Sequence, residues 1–455
     1  LALATLLTDL GAAAAPPFAR TAFALASMTR VVLAIATVVL ALRLAAHPGA
    51  RAVWASLATT AVLLVASSAA ISHAMARLDR RPLLLTLDAL HQLAAAVWVG
   101  GLAQLIAVPR PLDGHALRRF SSLALSSVVA LVGTGAALAI AYVGDPAALL
   151  ETAYGVMVLT KVTLLAALLA LGFMSFRLVR RAAATAPDRR LTRFVEVEAG
   201  LAITVVFAAA SLTSLPPAVD VTAERATLGE VAARFSAIPP RLVSPDVRDL
   251  LRQTNPQGGV AEVRLRIERE WSEFNHHWAG LFVLAMGLGA VAHRAGIRAA
   301  RHWPLALVGL AIFLVARNDP EVWPLGPIGF FESLAQPEVL QHRLFMVLVT
   351  AFGIFEWAVR TGRLTPRPWA CVFPVLCAVG GGLLLTHSHT VFSLKEAFLM
   401  EVTHAPIGVL GAFAGWARWL ELRLPEAGSW PGRVWPACLL AVGLLLVVYS
   451  EGPGA

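Results

Sequence analysis

Long apolar runs separated by short polar connectors dominate this chain. The runs at 52–72 and at 434–449 with its flanks reach about 18 residues or more, the length an α-helix needs to cross a bilayer. They lack the ten-residue alternation of a membrane β-barrel strand. Twelve spans are predicted: 21–46, 52–73, 83–108, 120–143, 154–177, 194–215, 273–293, 303–316, 341–359, 369–386, 397–418 and 434–450. The span at 303–316 is short. Residues 1–15, LALATLLTDLGAAAA, read as the end of a helix whose start lies outside the sequence, or as a processed terminus. The pattern predicts an all-α, polytopic transmembrane bundle. It comprises an N-terminal bundle (1–215), an outer-face loop (216–272) and a C-terminal bundle (273–455).

Composition agrees with a bilayer protein. The chain is 58% hydrophobic and 14% charged, with mean hydropathy +0.72, and a soluble fold cannot bury that much apolar surface. The net charge of +9 does not point to nucleic acid, because arginine concentrates in alternate connectors. The basic set is 47–51, 109–119, 177–193, 293–302, 360–368 and 418–433, which the positive-inside rule makes cytoplasmic. The connectors 144–153, 216–272, 317–340 and 387–396 then face outward, with 74–82 (containing RLDRR) the awkward member. This pattern predicts a multi-pass topology with the large loop on the outer face. That loop is expected to hold one or two short amphipathic helices and a hairpin-like stretch; it has no His, Met or Cys. Cys371, Cys377 and Cys438 form no CxxC and read as packing residues.

The histidines carry the candidate chemistry. His47, His115, His293 and His302 fall in or beside arginine-rich connectors and read as solvated. His73, His91, His276, His277, His342, His387, His389 and His404 fall toward the outer face. His91 lies about nine residues inside its span, roughly 13 Å down a helix, with Asp88 on the same face as an orienting group. His404 sits at matching depth, four residues after Met400 and three after Glu401. His342 and Met346 repeat the pairing. Imidazole and thioether on one face suit copper, Cu(I) above all. Asn275, His276 and His277 mark a point of re-entry; neighbouring histidines point about 100° apart, so at most one of the pair is expected to face a given site. His73 and the pair His387 and His389 read as entry ligands or solvated caps. Arg30, Lys161, Glu196 and Glu198 are further charges inside predicted spans, functional or helix glue. No Walker A, DKTGT-like or intramembrane CPC stretch is present, which excludes an ATP-driven copper pump; no GxSxG or HExxH suggests a hydrolase.

Four stretches, LDALHQLAAAVWVGGL (87–102), RFSSLALSSVVALVGTG (119–135), AYGVMVLTKVTLLAALLALG (153–172) and VEAGLAITVVFAAASLTSLPPA (197–218), resemble the copper-resistance D (CopD) membrane family. The most telling element is His91, Trp98, Gly100 and Gly101. EFNHHWAGLFVLAMG and KEAFLMEVTHAPIGVLGAFAGWARWLELRLP look like the long form of that group. The resemblance implies a bacterial inner-membrane protein, its large loop periplasmic, that moves or handles copper between periplasm and cytoplasm, often beside a periplasmic CopC-like carrier. The HxxAxxxWxGG pattern also resembles the helix of membrane b-type cytochromes, where His91 and His404 would be axial ligands to haem b.

The leading expectation is therefore a non-enzymatic copper-handling protein. Metal enters at His73, His276, His277, His387 and His389. It reaches a site of His91, His404 and His342 with Met346 and Met400, while Asp88, Glu401 and Asn275 act in support. The alternatives are a haem-b redox protein and an oxidase-assembly or structural subunit.

Overall fold

In the computed structural model the described residues are 15–107, 114–181, 189–253, 266–365, 367–386, 393–424 and 430–452. Among them the chain is helical, with no strand and one isolated bridge, Val322 to Ile328. The principal helices are α1 (Ala22–Ala46), α2 (Arg51–Ala66), α3 (Arg81–Ala107), α4 (Gly114–Val143), α5 (Ala153–Arg181) and α6 (Arg189–Ser214). They continue as α7 (Arg266–Arg294), α8 (Leu305–Arg317), α9 (Pro337–Arg360), α10 (Val372–Leu384), α11 (Leu394–Glu401), α12 (His404–Arg423) and α13 (Trp430–Val447).

A helix underlies each of the twelve expected spans. Among the described residues nine candidate spans are long and apolar enough to cross a membrane, with α11 and α12 together making one of them. The helices outside that set are α7, α8 and α10. α7 begins RIEREWSEFNHHW, which is polar for a lipid-facing turn. α8 and α10 have 13 residues each, about 20 Å at 1.5 Å per residue, against roughly 30 Å of hydrocarbon. The protein is an all-α, multi-pass membrane protein.

The chain divides into two compact units. The first comprises Leu1–Gly144 and Phe176–Asp188, the second Asp145–Ser175 and Arg189–Ala455. The expected boundary at 215 thus falls inside the second unit, where α6 packs on α10 and α12. In the first unit α3 packs along α4. Gly101 permits this: a Cβ there would sit 2.2 Å from the Phe120 ring.

Small residues set the second unit's closest contacts. A Cβ on Gly381 of α10 would meet the Gly408 carbonyl of α12 at 2.5 Å, and one on Gly443 of α13 would meet Leu284 of α7 at 2.6 Å. Side chains of one carbon or none let such backbones approach, so dispersion can hold helices that lipid does not push together. Trp303, Phe373, Trp435 and Cys438 fill the core beside them, and the three cysteines are free thiols.

The long connector holds helical turns at Leu228–Arg234 and Val247–Gln253. Part of the expected hairpin-like stretch, 254–265, lies outside the described residues. From Arg266 the chain is already α7, seven residues earlier than the predicted span at 273.

Candidate metal-handling site

The stretch expected to run as one helix through Met400 and His404 is broken. α11 ends at Glu401, Val402 and Thr403 form a turn, and α12 starts at His404. Pro406 explains the break: it has no N–H for the Val402 carbonyl, and its ring crowds that carbonyl. Val402 and Thr403 keep right-handed helical backbone angles, so the hydrogen-bond ladder is interrupted while the helical path continues. Glu401 and His404 line a cavity of about 50 Å³ together with Val156 and Met157 of α5, Ser211 of α6 and Phe398 of α11. Met400 is not part of that lining. Met157, which sequence reasoning passed over as an apolar-run residue, is.

Beside His404 stands His276 of α7. The two rings meet edge to face, with centroids 6.0 Å apart, and the Tyr449 ring stacks on His276 at 4.0 Å. His276 Nδ1 lies 2.8 Å from the Ser272 carbonyl. A carbonyl can only accept, so Nδ1 carries the proton and the ring's lone pair is on Nε2, the arrangement usual for a metal-binding imidazole.

His277 has the opposite fate. It is fully buried; its Nδ1 accepts the Arg241 N–H at 2.7 Å, and its Nε2 donates to the Tyr449 carbonyl at 2.8 Å. Both nitrogens are used, so the expected entry ligand is a staple joining the long connector to the segment after α13. Asn275 donates to the Arg317 carbonyl at 3.4 Å, serving the α7–α8 contact.

A polar clasp covers the cavity end of α5 and α11. Arg225 makes a two-pronged pair with Asp145 (2.7 and 2.8 Å) and reaches Glu151 at 2.7 Å. Lys395 meets Glu230 at 2.6 Å, and Thr227 and Glu230 close a capping box. Beneath, Ala226 and Val231 pack on Phe398, Leu399 and Val402. The Arg225 pairing holds the Asp145 carboxyl down at about 2, and the Lys395 hydrogen bond holds Glu230 at about 2.

In the first unit His91 has a built seat. Its Nδ1 lies 3.1 Å from both the Leu131 carbonyl and the Thr134 hydroxyl oxygen. That hydroxyl gives its own proton to the Ala130 carbonyl at 2.6 Å, so Nδ1 is the donor and the lone pair again falls on Nε2. Gly135 makes the room, since a Cβ there would sit 3.0 Å from His91 Cε1. Asp88, expected to orient this ring, accepts from Gln92 at 3.1 Å, and α4 supplies the groups at Nδ1. The motif VGTG carried this signal, but sequence alone does not say which helix faces His91.

The remaining candidates stand apart. His342 is tied to Asp319 at 2.7 Å, a partner not anticipated, and Met346 is buried. His73 packs edge-on to Tyr142 at 6.2 Å, with Arg77 over the same ring. His387 and His389 lie outside the described residues. Among the described residues no group of three or more His, Cys, Asp or Glu side chains is gathered as a metal ion would require. His276 and His404 are the two predicted ligands that the structure brings ring to ring.

Comparison with known proteins fits this picture over part of the chain. Residues 114–212 match the family model described as CopD, copper resistance protein D. That segment holds Thr134 and Gly135 of the His91 seat and Met157 of the cavity. Over 161 residues the chain is 30% identical to the copper transport protein CutJ of Bacillus subtilis (strain 168), covering 34% of this chain and 29% of that relative. The match thus spans under a third of the relative's length. No solved structure matches the chain.

Proposed function

We propose that this multi-pass membrane chain, which carries a copper resistance protein D segment over 114–212, binds copper at the second unit's cavity and moves it or holds it for delivery. The observation that carries the reading is the convergence of His276 and His404 beside a cavity lined by Glu401 and Met157. Nitrogen, oxygen and thioether donors at one place suit copper, and the thioether favours Cu(I). Copper is cargo in this reading, and the chain is not an enzyme.

The charge pattern supports an inner-membrane orientation with the 216–272 connector, and hence the clasp, in the periplasm. A periplasmic CopC-like carrier would then deliver at that end. His91, with Nε2 presented from its α4 seat, is a second copper position in the first unit.

The test is copper titration of the purified full-length chain against a Cu(I) chelator, with metal analysis and a visible spectrum. Stoichiometric copper without a chromophore, lost on His404→Ala and kept on His302→Ala, is the expected result. A Soret band abolished by His91→Ala would replace copper with haem b. Absence of both metal and chromophore would leave an assembly or structural subunit.

A further inference from the structure

Glu196, Glu356 and Glu421 sit on apolar helices of the second unit, and each is held by arginine. Glu196 takes Arg423 at 2.8 Å and Trp419 Nε1 at 2.9 Å. Glu356 takes Arg360 at 2.5 Å, the guanidinium lying over Trp303, Phe373 and Trp435. Glu421 takes Arg294, Arg418 and Trp435 Nε1. Glu196 and Glu421 thereby cross-link helices, Glu356 pairs within α9, and each carboxylate is answered by a fixed cation.

Glu198 is different. It is 3% exposed, and its hydrogen-bond donor is the Ser175 hydroxyl of α5. Gly172 of α5 packs beside it, where a Cβ would come to 3.6 Å from Oε2. Among the described residues no salt bridge reaches it. Glu196, two positions away on α6, faces α12 and is occupied by Arg193, Trp419 and Arg423. The two carboxyls are about 200° apart around the helix, so they face different neighbours. An ionisable group at this depth without a fixed cation is a proton-carrying arrangement rather than an ionic cross-link.

The same helix pair reaches the cavity. α5 carries Met157 at the cavity and Ser175 at Glu198. α6 carries Ser211 at the cavity, thirteen residues or about 20 Å from Glu198. We infer that Glu198 is a proton-binding site whose proton is exchanged as copper enters and leaves the cavity. The carboxylate takes one proton from water to become the carboxylic acid and later returns it to water. Nothing is oxidised or reduced. The inference rests on the copper reading, and it names the ion to which cargo movement is coupled.

Two measurements on the full-length chain test it. A hydrophobic carbodiimide, which modifies carboxyls that carry a proton in apolar surroundings, is expected to label Glu198; the adduct disappears in Glu198→Gln and persists in Glu196→Gln. In vesicles with trapped pyranine, added Cu(I) should change the internal pH with wild type. Glu198→Gln should lose that signal about tenfold or more while its copper Kd stays within about twofold, a shift below ~0.5 kcal/mol. Glu198→Asp, which keeps the titrating group, should recover part of it. No adduct at Glu198, or a full proton signal in Glu198→Gln, overturns the inference. Copper movement by wild type with no proton signal also overturns it and leaves the copper reading standing. A wild type that binds no copper removes both.

Discussion

The first unit offers one imidazole in a finished seat, whereas the second brings two imidazoles beside an open cavity. At His91 the α4 groups act on one edge of the ring: Leu131 and Thr134 take the Nδ1 proton and Gly135 clears space. At His404 and His276 the rings meet each other, and a thioether and a carboxylate line the adjoining space. One region fixes a tautomer; the other gathers donors. The difference teaches that a histidine at helical depth says little about binding until its second nitrogen and its neighbours are known. His276 and His277 make the same point one residue apart.

Four measurements would break or sharpen that contrast. The largest effect is expected at His277, where His277→Ala strands the buried Arg241 N–H and Tyr449 carbonyl. At about 1–3 kcal/mol per unsatisfied group, stability should fall by ~2–6 kcal/mol. Thermal unfolding in detergent would report it, with copper affinity per folded molecule unchanged. A large affinity loss with normal stability would return His277 to the ligand set.

Next comes His404→Ala, expected to weaken copper binding about tenfold or more, ~1.4 kcal/mol. His91→Ala should cost less in the same chelator competition. Equal losses would erase the distinction between the units.

Thr134→Ala removes one of the two acceptors at His91 Nδ1 and should cost about 0.5–1.5 kcal/mol of stability. His404-dependent copper binding should not respond. A matching drop in that binding would mean the two regions act as one.

The smallest effect concerns the clasp. Asp145 and Glu230 are held below the ordinary carboxylate range by Arg225 and Lys395. A depressed folded value contributes stability above the unfolded value near 4 and loses it as pH falls toward about 2. Protease cleavage within 216–235 should therefore stay slow from pH 7 to about 4.5 and quicken below about 4. Cleavage that quickens between pH 7 and 6 would point to a histidine as the latch.

The apolar runs determined the helices, because a chain in hydrocarbon must satisfy its backbone within each segment, and α1 to α13 lie under the predicted spans. The residue types near the site were legible too: His276, Glu401 and His404 stood out as polar groups in an apolar chain. Their grouping was not. Pro406 stood in plain view, and its effect is to interrupt the hydrogen-bond ladder between Met400 and His404. Met157 looked like any apolar residue on α5 until that helix was set against α11. The fates of His276 and His277 depended on Ser272, Arg241 and Tyr449, the last 172 residues from His277. Hydropathy is a local property that each segment carries with it. Which nitrogen holds a proton, and which donors share a cavity, depends on side chains brought together from distant segments, and only the packed helices decide that.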